Sequence, residues 1–595
     1  MKSFFRTLFA AIVANILVAA LVILVIIGSV AGLVKKPAEV KKGSVLVQVI
    51  DGEMPESEPA GGLSFPGGDV QSHSAVMENL EKARFDKRIK AVALKIGSPA
   101  IGLAKMDELR ERVRLLRAAG KPVWGYAEFL GRGTLYLGAA CDSLFLMRYG
   151  YASLHGLASE RGYFAGTLEK LGIRQNVHRI EGYKSAAEMV QRKDMSPTSR
   201  ANVNWMLDVF YPAYLQTVEE GRRLAPGTLE GQVFAAGVNS PEHLRDLKVV
   251  DRLVYWNDVE QGLLKVPGVK EAKNKDKKAP PRPREISGQD YARVTRAQAG
   301  IKGKKTIAIV HATGLIQGEE SGMSVPFGAT MGAATMEEAF RAAAANKDVA
   351  AIIYRVDSGG GESLTSWRIQ RAALEAGKRK PMVVSMGDVA GSGGYLICYP
   401  CGPMLAGKMS VVGSIGSISG KMNMRGLYDK LGMTKDFVTR GPFPTIDSDY
   451  FDYTPQEWTA FTADHWKGYQ DWVADIARVR GKTPAEIDSV GRGRVWTGEQ
   501  ALERGLIDRI GGFDDAVALA REKGGIPAGQ AVKFVHYPRK KSPFEALKSG
   551  GMTAFTRAMV QELTGQAVRE VKEQVDGPWR RDQTWAWDPN TYRPW

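Results

Sequence analysis

The chain has 595 residues, 44% hydrophobic and 25% charged. That excludes a disordered or collagen-like polymer and exceeds what one core usually organises, so two or more domains are expected. The net charge of +16 is confined to residues 1–42 (+5), 268–305 (+8) and 536–595 (+3), an end, a linker-like stretch and a tail, so no basic groove for nucleic acid is expected.

In chain order, residues 8–34 come first. They are apolar apart from small residues and Asn15, long enough at about 1.5 Å per residue to cross a hydrocarbon layer of about 30 Å. A single transmembrane anchor is expected over 1–34. A cleaved signal peptide is the rival, since Ser29-Val30-Ala31 has a small-x-small form, but its apolar region runs only roughly 7–15 residues. Lys2 and Arg6 precede the segment, while Lys35, Lys36, Lys41 and Lys42 follow it; the positive-inside count alone puts the bulk in the cytoplasm.

Beyond the anchor the chain repeats itself. Residues 87–96 (KRIKAVALKI) match 347–356 (KDVAAIIYRV) at an offset of 260, Lys170-Leu171-Gly172 matches Lys430-Leu431-Gly432 at 260, and 249–252 (VVDR) echoes 506–509 (LIDR) at 257. Within the second copy, a β-rich run at 351–356, an amphipathic stretch at 363–376 and a second run at 382–386 read as a βαβ crossover, hence a largely parallel sheet covered by helices. The expected organisation is an α/β unit over 35–267, a Lys- and Pro-rich exposed linker over 268–304, a second α/β unit over 305–535 and a tail over 536–595.

The three cysteines, Cys141, Cys398 and Cys401, exclude a disulfide scaffold. The C-x-x-C spacing of the last two admits a redox pair in an oxidising compartment, yet no second pair is present to complete a zinc site.

In the second unit the run 382–386 leads into Gly387-Asp388-Val389-Ala390-Gly391-Ser392-Gly393-Gly394-Tyr395. A serine among glycines between a strand and a helix is where a tight turn can present a nucleophile, with amides beyond it facing an oxyanion. Ser392 is the candidate; a glycine-rich turn with a capping serine fits the same residues. Ala390 excludes the G-x-S-x-G elbow. One strand earlier, Gly359-Gly360-Gly361 lets a backbone approach a substrate, which makes the amides of Gly360 and Gly393 the candidate oxyanion donors. For the base, none of the seven histidines has a recognisable partner motif. A lysine must be neutral to serve, which costs about 4–5 kcal/mol of desolvation. Lys184, in Gly182-Tyr183-Lys184-Ser185-Ala186, is one candidate among 81 Lys and Arg, and sequence physics alone does not single it out.

The segments GYKSAAE (182–188), VDSGGGE (356–362), GDVAGSGGY (387–395), VVGSIGS (411–417) and GRVWTGEQALERGLID (493–508) together resemble the long, duplicated bacterial signal peptide peptidase, or protease IV, family. The resemblance covers about residues 40 to 530 and the anchor. It implies tandem units of crotonase/Clp-protease-like fold and a Ser/Lys dyad with Ser392 as nucleophile, Lys184 as general base and Ser414 as a serine bonded to the lysine. It also implies hydrophobic peptide substrates such as remnant signal peptides, no metal or cofactor, and a homo-oligomer, in the family a bowl of four chains. The implied location is the bacterial inner membrane with the catalytic part periplasmic, which the charge count around the anchor opposes. The repeat fits this division of labour, because the counterparts of Ser392 and Ser414 in the first unit are Gly133 and His155. The family usually has proline where this chain has Gly359, so a looser turn before Gly360 is expected. Two alternatives stay open on sequence: a crotonase-type acyl-CoA enzyme, and a catalytically inactive membrane scaffold.

Overall fold

The computed structural model describes residues 39–57, 71–180, 182–273, 278, 280–324 and 328–539, with two-residue strands at 587–588 and 593–594. The expected anchor over 1–34 lies outside the described residues, among which no helix is long and apolar enough to cross a membrane.

The first unit is built on a sheet of β1 (Ser44–Glu53), β2 (Ile89–Ala100), β3 (Val123–Leu130), β4 (Ser143–Ala152), β6 (Arg252–Leu253) and β7 (Glu285–Ser287), in the order β6-β4-β3-β2-β1-β7. All its pairings are parallel. The separate strand β5 (Arg174–Arg179) leaves this sheet. The helices α1 (Leu103–Ala118), α2 (Arg132–Gly138), α3 (Ala165–Leu171) and α4 (Pro197–Arg222) connect the strands.

The second unit repeats the plan. Its sheet contains β8 (Lys305–Thr313), then, past a small sheet of β9 (Leu315–Ile316), β10 (Gly322–Ser324) and β11 (Gly328–Met331), the strands β12 (Val349–Ser358), β13 (Met382–Gly391), β14 (Met404–Ala406) and β15 (Val411–Gly413). After β16 (Ile418–Asn423) come β17 (Val495–Thr497), β18 (Arg509–Ile510) and β19 (Val532–Tyr537). The path β18-β14-β13-β12-β8-β19 copies that of the first sheet strand for strand. Helices α5 (Ser363–Gly377), α6 (Gly393–Leu396), α7 (Arg425–Leu431), α8 (Pro455–Arg480) and α9 (Phe513–Lys523) cover it. Strands β12 and β13 are buried along nearly their whole length and apolar over most of it, as parallel strands between helices must be. The duplication extends to α3 and α7, which each stop on a left-handed glycine, Gly172 and Gly432.

Two expected boundaries move. The stretch 268–304 is not an exposed linker throughout: Glu285–Ser287 pairs in parallel with β1, and Ile286, Tyr291, Val294, Ala299 and Ile301 are buried. The Lys- and Pro-rich average over this stretch concealed apolar residues spaced to finish a sheet edge. Likewise the tail begins after Tyr537, not at His536, because β19 pairs with β8 through Tyr537. β7 and β19 are the same closing strand in the two units.

The units meet through β5 and β16, antiparallel over six residue pairs from Arg174↔Asn423 to Arg179↔Ile418. Ile180 N donates to Ser417 O at 3.0 Å, so the first unit's chain enters the second unit immediately before Lys184. A second seam is polar. Arg355, with no exposed surface, pairs with Glu56 at 2.9 Å and Glu108 at 2.8 Å from the first unit, and Glu108 accepts the Phe513 amide at the start of α9.

Candidate active site

Strand β13 ends at Gly391 and the chain turns sharply. Ser392 has φ 54° and ψ −122°, a conformation that costs a residue with a side chain about 1–3 kcal/mol and persists only where its surroundings impose it. Its amide donates to Gly413 O at 2.8 Å, and the short helix α6 starts at once with Gly393. Ser392 is half-buried between the buried Gly391 and Gly393. Gly360 lies against this turn: a Cβ on it would sit 2.4 Å from Gly393 N and 2.9 Å from Ser392 Cβ, so only a glycine fits, at φ +106°. The two glycines anticipated as oxyanion donors are therefore neighbours. The Gly360 amide, however, donates to Ser358 Oγ at 3.1 Å. The Gly361 amide nitrogen lies 3.2 Å from where a Cβ on Gly393 would stand. A run of three glycines gives no signal for which amide faces the turn.

Lys184 arrives from the first unit. It is 5% exposed and Ser414 is 6% exposed. Nζ donates to Ser414 Oγ at 2.9 Å and to Ser414 O at 3.0 Å. Burial pulls its pKa down to about 7, and among the described residues no carboxylate offsets that burial. Ser414 is joined to the Ser392 turn, since its Cβ lies 3.6 Å from where a Cβ on Gly391 would stand, and Gly413, its predecessor, accepts from Ser392 N.

A turn at 491–494 clamps the lysine to Ser414. Tyr183 N donates to Arg492 O at 2.8 Å, Gly493 N to Ile415 O at 2.7 Å, and Ser414 N to Arg494 O at 2.6 Å. A Cβ on Gly493 would lie 2.3 Å from Lys184 N. Arg494 donates to Tyr183 Oη at 2.9 Å. The segment 493–508 contributed to the family resemblance, but nothing in its spacing revealed that its first residues hold the lysine.

Two aspartates and a lysine near the turn also escaped the sequence. Lys105, at the third position of α1, donates to Asp357 Oδ2 at 2.6 Å and lies 3.5 Å from Asp388 Oδ2. Both aspartates stand in quoted segments, at strand ends among small residues where a carboxylate has no core role; that was the available signal. Cys398 and Cys401 are unpaired, buried thiols that donate to Gly394 O and Ile397 O, one turn back, at 3.0 and 3.4 Å, so the redox reading has no disulfide behind it here. Among the described residues no group of three or more His, Cys, Asp or Glu side chains is arranged to hold a metal ion.

Comparison with known proteins decides the class. The model of peptidase family S49 matches twice, over residues 116–270 and 375–526. The chain belongs to peptidase family S49. The S49 match in each half is the duplication read from the repeats. Relatives agree with it: the chloroplastic serine protease SPPA of Arabidopsis thaliana is 30% identical over 549 residues, 90% of this chain and 78% of that protein. Protease 4 of Salmonella typhi is 31% identical over 500 residues, 82% of this chain and 77% of its own length. Among solved structures, a ClpP1 mutant from Listeria monocytogenes is similar with 12% identity and a TM-score of 0.22, over 36% of this chain and 95% of that one. This S49 chain is a serine protease, and the acyl-CoA and inactive-scaffold alternatives give way.

Proposed function

We propose that this S49 peptidase is a membrane-anchored endopeptidase in which Ser392 attacks the scissile carbonyl and Lys184 is its general base. The carrying observation is the placement of Lys184, buried and bonded to Ser414 of the other unit. A neutral amine has two N–H bonds and one lone pair. Ser414 O and Oγ accept the two N–H bonds, and the lone pair remains for the serine proton. Lys184 then returns that proton to the leaving amine, and water hydrolyses the acyl-enzyme by the same path reversed. The Gly393 amide supports the oxyanion, with the Gly361 amide across the turn as second donor, since the Gly360 amide anticipated for that role is taken by Ser358 Oγ.

The other buried lysine at the site makes the choice of base. Burial opposes the charge on Lys105, but the carboxylates of Asp357 and Asp388 outweigh it and push its pKa above the ordinary lysine value. It stays charged and cannot take a proton.

The apolar stretch 8–34 supports a membrane anchor; placing the catalytic units outside the cytoplasm at a bacterial inner membrane follows the family resemblance against the positive-inside count, and a hydrophobic peptide such as a signal-peptide remnant, delivered from the bilayer, suits that position. A homo-oligomer, four chains in the family resemblance, is part of the same reading. Purified Ser392→Ala and Lys184→Ala test the chemistry: each should lose peptide hydrolysis while its circular dichroism keeps the wild-type shape. Retained hydrolysis in either refutes the assignment.

A further inference from the structure

Strand β13 does not run evenly beside β12. Val356 is opposite Met386, yet Ser358 is opposite Ala390, so Gly387, Asp388 and Val389 face the single residue Asp357. Such a bulge re-aims side chains and leaves a backbone group unpaired. The Val389 amide is taken by Asp357 Oδ1 at 3.0 Å, and the Gly387 carbonyl accepts from Ser410 Oγ at 2.6 Å. Asp388 is thereby turned toward the first unit. There it accepts from Gly102 N at 2.8 Å with Oδ2 and from Lys105 N at 3.0 Å with Oδ1.

Those two amides are the N-cap and third-position amides of α1, whose N-cap residue is Gly102 and has no side chain to offer. Asp388 performs from another unit both halves of a capping box. A Cβ on Gly102 would lie 2.5 Å from Asp388 Cγ, so the absence of a side chain at 102 is what admits the carboxylate. The Lys105 ammonium then closes the cluster on Asp357. The cluster exists on one side of the duplication only: the first-unit counterparts of Asp357 and Asp388, at offsets of 260 and 259, are Gly97 and Phe129. The unit with Gly133 in place of the serine also lacks the carboxylates.

We propose that Lys105 is a positioning residue for hydrolysis: through Asp357 and Asp388 it fixes the bulge, and with it the strand ends carrying Gly360, three residues past Asp357, and Ser392, four past Asp388. The inference rests on Ser392 being the nucleophile. The first unit would then serve the site twice, with a neutral lysine that moves a proton and a charged one that holds the backbone.

The test is the rate and pH dependence of covalent labelling of the full chain by a serine-reactive peptidyl phosphonate, with the labelled residue identified by mass spectrometry. Label elsewhere than Ser392 in the wild type refutes the nucleophile assignment and not merely this inference. With label on Ser392, Lys105→Met should slow it roughly 10-fold or more, leave the midpoint of the pH profile where the wild type has it, because the surroundings of Lys184 are untouched, and regain most of the rate as Lys105→Arg. An unchanged rate in folded Lys105→Met, a displaced midpoint, or no recovery with arginine overturns the proposal. Should Lys105→Met fail to fold, Gly102→Ala keeps every charge and displaces only Asp388. It should label several-fold more slowly, and a wild-type rate overturns the proposal equally.

Discussion

An ammonium taken from water into a protein interior without a counter-charge gives up its proton instead, and that trade is made at Lys184. The drop from 10.5 to about 7 corresponds to about 5 kcal/mol favouring the neutral form. The folded chain binds fewer protons at this site than the unfolded chain between pH 7 and 10.5, so the site's contribution to stability rises with pH across that window. Ser414→Ala, which removes one of the two acceptors, should lower kcat roughly 10- to 100-fold with little change in KM, as loss of orientation does; steady-state kinetics on a peptide substrate checks it. Ser392 and Lys184 entered as candidates through the segments around them, the serine also through its glycine turn. Lys105 and Asp388 did not. They lie 283 residues apart, and no periodicity relates a helix N-terminus in one unit to a bulge in the other.

Elements carry the precision of the site. The turn at 491–494 has Gly493 at φ +82° against the Lys184 backbone, so Gly493→Ala meets both backbone strain and a clash. Displacement of the lysine by about 1 Å is enough for a roughly 100-fold loss of rate. Labelling of Ser392 should fall by that order while circular dichroism keeps its wild-type shape; an unaffected rate would show that the turn does not set the lysine's position. The strands and helices themselves were readable: the runs at 351–356 and 382–386 and the amphipathic 363–376 became β12, β13 and α5. The bulge at 387–389 was hidden because it is an excess of residues relative to the partner strand, and nothing in the order of residues along one strand shows where its partner fails to keep pace. β7 escaped because three residues with one apolar side chain, Ile286, in a Lys- and Pro-rich neighbourhood offer no alternation to detect.

At the scale of the whole molecule, duplication supplied two sheets of one topology, and in the proposed mechanism their divergence divides the work. Closing a site from two units demands an interface that does not slip. The β5–β16 pairing and the Arg355–Glu56–Glu108 cluster provide it. Removing one member of a buried ionic cluster leaves the others uncompensated, at about 3–5 kcal/mol, so Arg355→Met should lower the urea midpoint accordingly and activity with it. Against the burial that raises it, Arg355 holds the Glu56 carboxyl well below 4.5. That contribution is present above pH 4.5 and is lost as pH falls through the lowered value, so the wild type should lose stability on acidification below that point. The repeat itself was plain from matches at one offset. That the two halves join by a strand on each side was not, since β5 and β16 are not counterparts in the repeat and no residue match pairs them.

The pH dependence of Ser392 acylation bears most directly on a proton passing between the units. A single rising ionisation near pH 7, absent with no labelling above background in Lys184→Ala, is the result required by a buried neutral lysine. A rate that climbs only near the ordinary lysine pKa, or that persists without Lys184, contradicts it.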